Sequence, residues 1–212
     1  MNNKNYYIST YCSLQNGALF VNGKATLEMD RSLPFIVLAK TIYKETGINY
    51  PKFFKMDNLS KLAFLTAEFL LEHSALSEKD VQKMGIVLSN KSASLDTDRK
   101  HQESISDDKN YYPSPATFVY TLPNIGIGEI SIRHQIKGEN AFFVFNTFNA
   151  KGLFQYAASL LASKKSNHVL CGWVDVDKEE YKSYFYIVSK EGMYPHTEEV
   201  INQLYINNEW KP

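Results

Sequence analysis

Thr147, Phe148, Asn149, Ala150 and Lys151 stand between an apolar run (140–148, NAFFVFNTF) and an apolar segment with helical spacing (152–162, GLFQYAASLLA). Enzymes often hold a nucleophile where a strand turns into a helix over so few residues, because the free N–H groups of the helix N-terminus stabilise its charge. No cysteine or serine lies in this turn. Asn149 is an amide, with no ionisable nucleophile. Lys151 opposes the helix dipole slightly, so it reads as a solvated or partner-facing charge.

The remaining candidates for chemistry are scattered. Cys12 and Cys171 lie far apart in sequence, which points to free thiols in a reducing cytoplasm. Each falls in or near an apolar strand, where a thiol acts as a small buried hydrophobe. Neither has a second cysteine or histidine at ligand spacing, so no zinc and no cofactor is expected. His134 and His168 border predicted helix and strand ends and read as surface or capping residues. His196, in YPHTEE, reads as an exposed tail histidine.

The elements that must position the turn follow from pattern. Residues 6–14 (YYISTYCSL) read as a strand, with Gly17 and Gly23 as turn signals. Ser32 is a candidate N-cap for a helix over 32–46 that ends before Gly47, with Pro34 in its first turn. Asp57 or Asn58 can cap a second helix over 59–72, whose apolar positions form a broad buried face. Residues 84–90 (MGIVLSN) read as a short apolar strand. The stretch 91–112 is polar and aperiodic, a predicted surface excursion. Over 121–140 the local pattern leaves strand and helix both open, with alternation slightly favouring strand.

The run 140–148 reads as a strand covered on both faces, and 152–162, apolar almost all round, as a helix buried on nearly every side. Residues 168–176 and 183–191 complete the strands, and the tail (TEEVINQLYINNEW) is moderately amphipathic. Alternating strands and helices predict one α/β layered domain over 1–212.

Bulk composition excludes several classes. Lys plus Arg equals Asp plus Glu at 23 each, so no footprint for nucleic acid or an anionic membrane is expected, and no basic patch is visible as a run. The N-terminus is polar, without a signal-peptide core. No window approaches the roughly 20 apolar residues of a membrane span. A cytoplasmic location is expected.

Five stretches in order resemble one family, the N-terminal half of the β-ketoacyl-acyl-carrier-protein synthases of the thiolase-like superfamily. MDNLSKLAFLTAEFLLE (56–72) is similar to the family's M-D-x-x-S-x-x-A-L-x-A-A helix, and VQKMGIVLSN (81–90) to the strand after it. PSPATFVYTLPNIGIGEISIRHQIKGEN (113–140) resembles the P-N-x-A-x-G-x-I-A-I segment, which makes 123–136 a helix. FNTFNAKGL (145–153) falls on S-T-A-C-A-S-G-L, and HVLCGWVD (168–175) on V-L-A-G-G-V-E.

The resemblance implies a thiolase-like half-fold: a layered, mixed, mostly parallel sheet of about five strands flanked by helices, with the family's C-terminal half absent. It places Asn149, between Thr147, Phe148 and Lys151, where the family has its acyl-accepting cysteine. An amide cannot form the acyl-enzyme. The chain then looks like a chain-length-factor type of subunit, a non-catalytic partner in fatty-acid, polyketide or aryl-polyene synthesis.

The alternative is an enzyme with residual acyl-carrier thioester chemistry, in which Asn149 polarises an enolate or Lys151 grips a phosphopantetheine. Cys12, Cys171 or His196 would be displaced catalytic groups only in that case. Trp173, where the family has glycine, either fills substrate space or repairs packing. The implied partner is an identical copy or a full-length ketosynthase, with acyl carrier protein a further candidate.

Overall fold

The computed structural model describes residues 6–107, 109 and 111–209; the N-terminal lead (1–5) and Trp210 of the tail lie outside them. In chain order the elements are β1 (Tyr7–Gln15), β2 (Ala18–Val21), β3 (Lys24–Glu28), α1 (Phe35–Glu45), a 3-10 turn (Pro51–Lys55), α2 (Asn58–Glu72), α3 (Glu78–Gln82), β4 (Gly85–Asn90), α4 (Leu95–Ile105), α5 (Pro115–Val119) and α6 (Ile125–His134). Then come β5 (Asn140–Val144), α7 (Ala150–Ala162), β6 (Val169–Asp177), β7 (Glu180–Ser189), β8 (Tyr194–Pro195) and α8 (Glu198–Asn207).

All eight strands join one mixed sheet in the order β3-β2-β1-β7-β6-β4-β5, with β8 paired to β1. Strands β5, β4 and β6 are parallel neighbours, and β7 runs antiparallel between β6 and β1. The sheet is wider than the five strands expected, and it is mixed rather than mostly parallel: among the described residues only the β4–β5 and β4–β6 pairings are parallel, because β1, β2, β3, β7 and β8 join antiparallel. The Gly17 and Gly23 turns fold β2 and β3 back beside β1 as a meander, both glycines at positive φ.

The pleat divides the core in two, because successive side chains point to opposite faces. On β7, Phe185 and Ile187 face α1, α2 and α6, whereas Tyr184, Tyr186 and Val188 face α7 and α8. Helices thus cover both faces, a three-layer α/β/α arrangement.

Helix α2 starts at Asp57, whose carboxylate accepts from Ser60 N–H at 2.9 Å. From Leu59 to Ala67 every residue of it is buried, Lys61 included. Helix α6 settles the open reading over 121–140: Ile127 and Ile130 pack into the α2 side of the core, a period that only a helix presents there.

Four local expectations are corrected. Ser32 does not cap α1, which starts after Pro34; the Ser32 hydroxyl donates to Asp30 instead. The polar stretch after β4 contains helix α4 (Asp108 lies outside the described residues). Polar contacts rather than apolar periodicity fix α4: Thr97 donates to Asp57, Arg99 pairs with Asp177, and Asn58 donates to Asp96.

Strand β5 is not covered on both faces. It pairs only with β4 among the described residues, with Phe142 and Phe143 half-buried and Val144 54% exposed. Finally, α7 is not buried on every side: Lys151, Gln155, Ser159 and Ala162 face solvent.

Candidate functional site

Asn149 sits at the junction between β5 and α7, five residues past Val144, where the strand's pairing with β4 ends. Its side-chain oxygen accepts from Gly152 N–H at 2.8 Å, so the amide is the N-cap of α7. A side chain at Gly152 would crowd the Phe145 ring and the Asn149 amide, at 3.1 and 3.2 Å from an added Cβ. Thr147 and Lys151 are exposed on either side, while Phe148 is half-buried.

The space beside the cap is filled by the chain's own C-terminal helix. Phe148 stacks on Tyr205 of α8, with ring centroids 3.8 Å apart and planes 11° apart. Trp173 and Tyr184 meet Phe148 edge-on at 6.0 and 6.1 Å. Lys182 places its ammonium 3.7 Å from the Tyr205 ring centre and donates to the Tyr205 carbonyl at 3.2 Å. Burial holds this lysine below its usual range.

Trp173 therefore fills space next to the junction. Helix α8 is fastened at both ends. Thr197 caps it by accepting from Val200 N–H, and Asn208 accepts from the Tyr11 hydroxyl at 3.0 Å and the Ser13 hydroxyl at 2.7 Å.

The other sequence candidates are not brought to this junction. Cys12 and Cys171 are fully buried, and burial pushes both thiols well above their usual range, so neither presents a thiolate. His196 is a correction: it is buried, not exposed. Its ring packs against Phe154 at 5.0 Å and Tyr186 at 5.9 Å, and burial lowers it to about 4.

His168 bonds the Ser189 hydroxyl at 2.8 Å at the far end of the sheet. His134 stands 2.8 Å from Glu68, which also takes a two-pronged pair from Arg133 at 2.9 and 3.0 Å. Burial pushes the Glu68 carboxyl up, but bonds from His134 and Arg133 outweigh it and hold the group low. This triad lines a cavity of about 540 Å3 against α2 and α6, on the opposite face from Asn149.

Sequence reasoning missed Tyr205, Lys182 and Tyr184. The only signal for Tyr205 was the tail's spacing, which buries Val200, Ile201 and Leu204 and turns Tyr205 toward Phe148. Among the described residues no group of three His, Cys, Asp or Glu side chains could hold a metal ion, and no helix is long and apolar enough to cross a membrane.

This architecture is the thiolase-like fold of ketosynthases and chain length factors. Solved structures that share it include the ishigamide ketosynthase/chain length factor (TM-score 0.63, 14% identity, covering 87% of this chain and 62% of that one). A second is a ketosynthase (ApeO) in complex with its chain length factor (ApeC) from Xenorhabdus doucetiae, at TM-score 0.56 and 13% identity over 89% of this chain and 80% of that one. A third is a type II polyketide acyl-carrier protein in complex with its ketosynthase (AntDE:AntF), at TM-score 0.60 and 12% identity over 87% and 62%. The chain thus spans 62% of the length of two of these neighbours. No protein-family model and no curated protein sequence matches the chain.

Proposed function

We propose that this chain is a non-acylating, ketosynthase-like subunit that works beside a full-length ketosynthase in fatty-acid, polyketide or aryl-polyene-type synthesis. One observation carries the reading. The residue at the strand-to-helix junction, Asn149, spends its amide oxygen capping α7, and Phe148 and Tyr205 stack beside it. A thiolate there would attack a thioester; a carboxamide held as a cap has nothing to attack with. Residual decarboxylation through the amide N–H lacks support, since His196, His134 and His168 all point elsewhere.

Edge strand β5 is the surface through which the partner joins. Its outer backbone edge offers N–H and C=O groups, with Val144 exposed beside it, and an unpaired edge templates another strand. In this role residues 1–212 act as one domain that stabilises the partner or shapes its acyl tunnel, and an acyl carrier protein visits the pair.

Co-expression with a full-length ketosynthase tests it. The expected result is a one-to-one complex with condensing activity above that of the ketosynthase alone, lost when Val144→Pro removes an outward N–H from the β5 edge. Turnover by this chain in isolation, abolished by Asn149→Ala, would contradict the proposal.

A further inference from the structure

At the opposite end of the sheet from Asn149, the loops leading into β4, β5 and β6 border an open depression of about 250 Å3. Lys83, Lys137, Lys164 and Lys165 line it, drawn from three loops remote in sequence. Lys137 N–H donates to the Gln82 carbonyl at 2.8 Å, which ties two of these loops together. Gly138 permits that approach, because a side chain there would fall 2.1 Å from the Met84 carbonyl oxygen.

The positive charge is largely uncompensated. Lys165 pairs with Glu139 at 2.7 Å, whereas Lys83, Lys137 and Lys164 have no ion-pair partner among the described residues. Asp80, the other nearby carboxylate, takes the Ser77 hydroxyl, faces His168 and feels the Lys83 charge without pairing with it, which leaves Lys137 and Lys164 the least compensated. These lysines follow helix ends, whose partial negative charge favours cations by about 0.3–1 kcal/mol each. Helix capping alone does not explain them, since backbone N–H groups already occupy the last carbonyls: Lys164 N–H bonds Leu161 and Lys165 N–H bonds Leu160.

A second feature points to a ligand. Ser166 lines the same pocket, is 4% exposed, and its buried hydroxyl has no hydrogen-bond partner. Buried hydroxyls are almost always bonded, so an orphan one calls for an occupant. Gln82 and Asn167 add amide donors at the rim.

We propose that this juxtaposition of three unpaired lysines and an orphan serine hydroxyl binds the phosphate or diphosphate group of a small soluble molecule. At about 250 Å3 the pocket falls below the roughly 300–1,000 Å3 of sites that enclose a drug-sized ligand, so it takes the anionic group and leaves the rest of the molecule in solvent. The site is independent of the β5–α7 junction and of the partner role.

Titration calorimetry of the full chain with inorganic pyrophosphate at 0.15 M salt tests the proposal. The expected result is saturable one-to-one binding, about tenfold weaker in Lys137→Gln and in Lys164→Gln, weaker also in Ser166→Ala, and unchanged in Lys24→Gln on distant β3. Heat that grows without saturation, or equal affinity in all four variants, would overturn it. So would failure with pyrophosphate alongside tight binding of a polyglutamate peptide, which would make the pocket part of a protein-docking face.

Discussion

Helices α2 and α7 look alike in sequence and differ in what surrounds them. Both are apolar on most sides. Helix α2 lies between the sheet, α1 and α6, and is buried without a break from Leu59 to Ala67. Helix α7 has the sheet on one side and α8 on another, and leaves Lys151, Gln155, Ser159 and Ala162 in solvent. The α2 side is aliphatic and phenylalanine-rich. The α7 side carries Tyr184, Tyr186, Cys171 and His196, with the Tyr184 hydroxyl and His196 Nε2 buried and unbonded. One face is built for stability, and the other, next to the junction, tolerates unsatisfied polar groups.

Deep truncation separates the two most sharply. Leu62→Ala in α2 is expected to lower unfolding free energy by about 2–5 kcal/mol in urea, because a fully buried leucine leaves a cavity. Gln155→Ala on the open flank of α7 should change it by less than about 0.5 kcal/mol. Equal losses would erase the distinction.

Each face also buries one group that resists charging, and the pH windows differ. Burial lowers Lys61 from 10.5 to about 8, against the pull of Asp57. Between these values the unfolded chain binds the extra proton, so this lysine's contribution to stability rises with pH across the window. His196 is lowered from 6.5 to about 4, so its contribution is intact above 6.5 and is lost as pH falls toward 4. Each slope is at most about 1.4 kcal/mol per pH unit. Urea titrations at stepped pH should show Lys61→Met diverging from the parent only between about pH 8 and 10.5, and His196→Leu only between about pH 4 and 6.5.

Removing the Tyr205 ring is a milder intervention. Tyr205→Ala is expected to cost about 1–3 kcal/mol and to shift Trp173 fluorescence, since the ring stacked on Phe148 also meets Trp173 at 6.5 Å. An unchanged emission would mean that α8 does not close the junction. The smallest effect is expected at the cap. Asn149→Ala should cost about 1 kcal/mol, with Asn149→Asp close to neutral in thermal melts.

Much of this was legible in the sequence, for physical reasons. Helix α2, strands β4, β6 and β7 and the β5–α7 junction follow from apolar period and, for α2, from Asp57 as a short polar cap; the capping role of Asn149 emerges only from the fold. The helical state of 125–134 was not locally decidable; contact with α2 selects it. Helix α4 escaped because side-chain bonds to Asp57 and Asp177 hold it, partners some forty and eighty residues away. The lysine pocket escaped for a similar reason: its charges converge from three loops and never form a run. His196 and Tyr205 were hidden because burial of a tail depends on where the tail docks.

The central claim is that the junction carries no acyl group. Intact-mass spectrometry of this chain, incubated with malonyl- and acyl-loaded carrier protein together with a full-length ketosynthase, measures that directly. The account predicts an unchanged mass for this chain and an acyl adduct on the ketosynthase alone. An acyl adduct on this chain would contradict it.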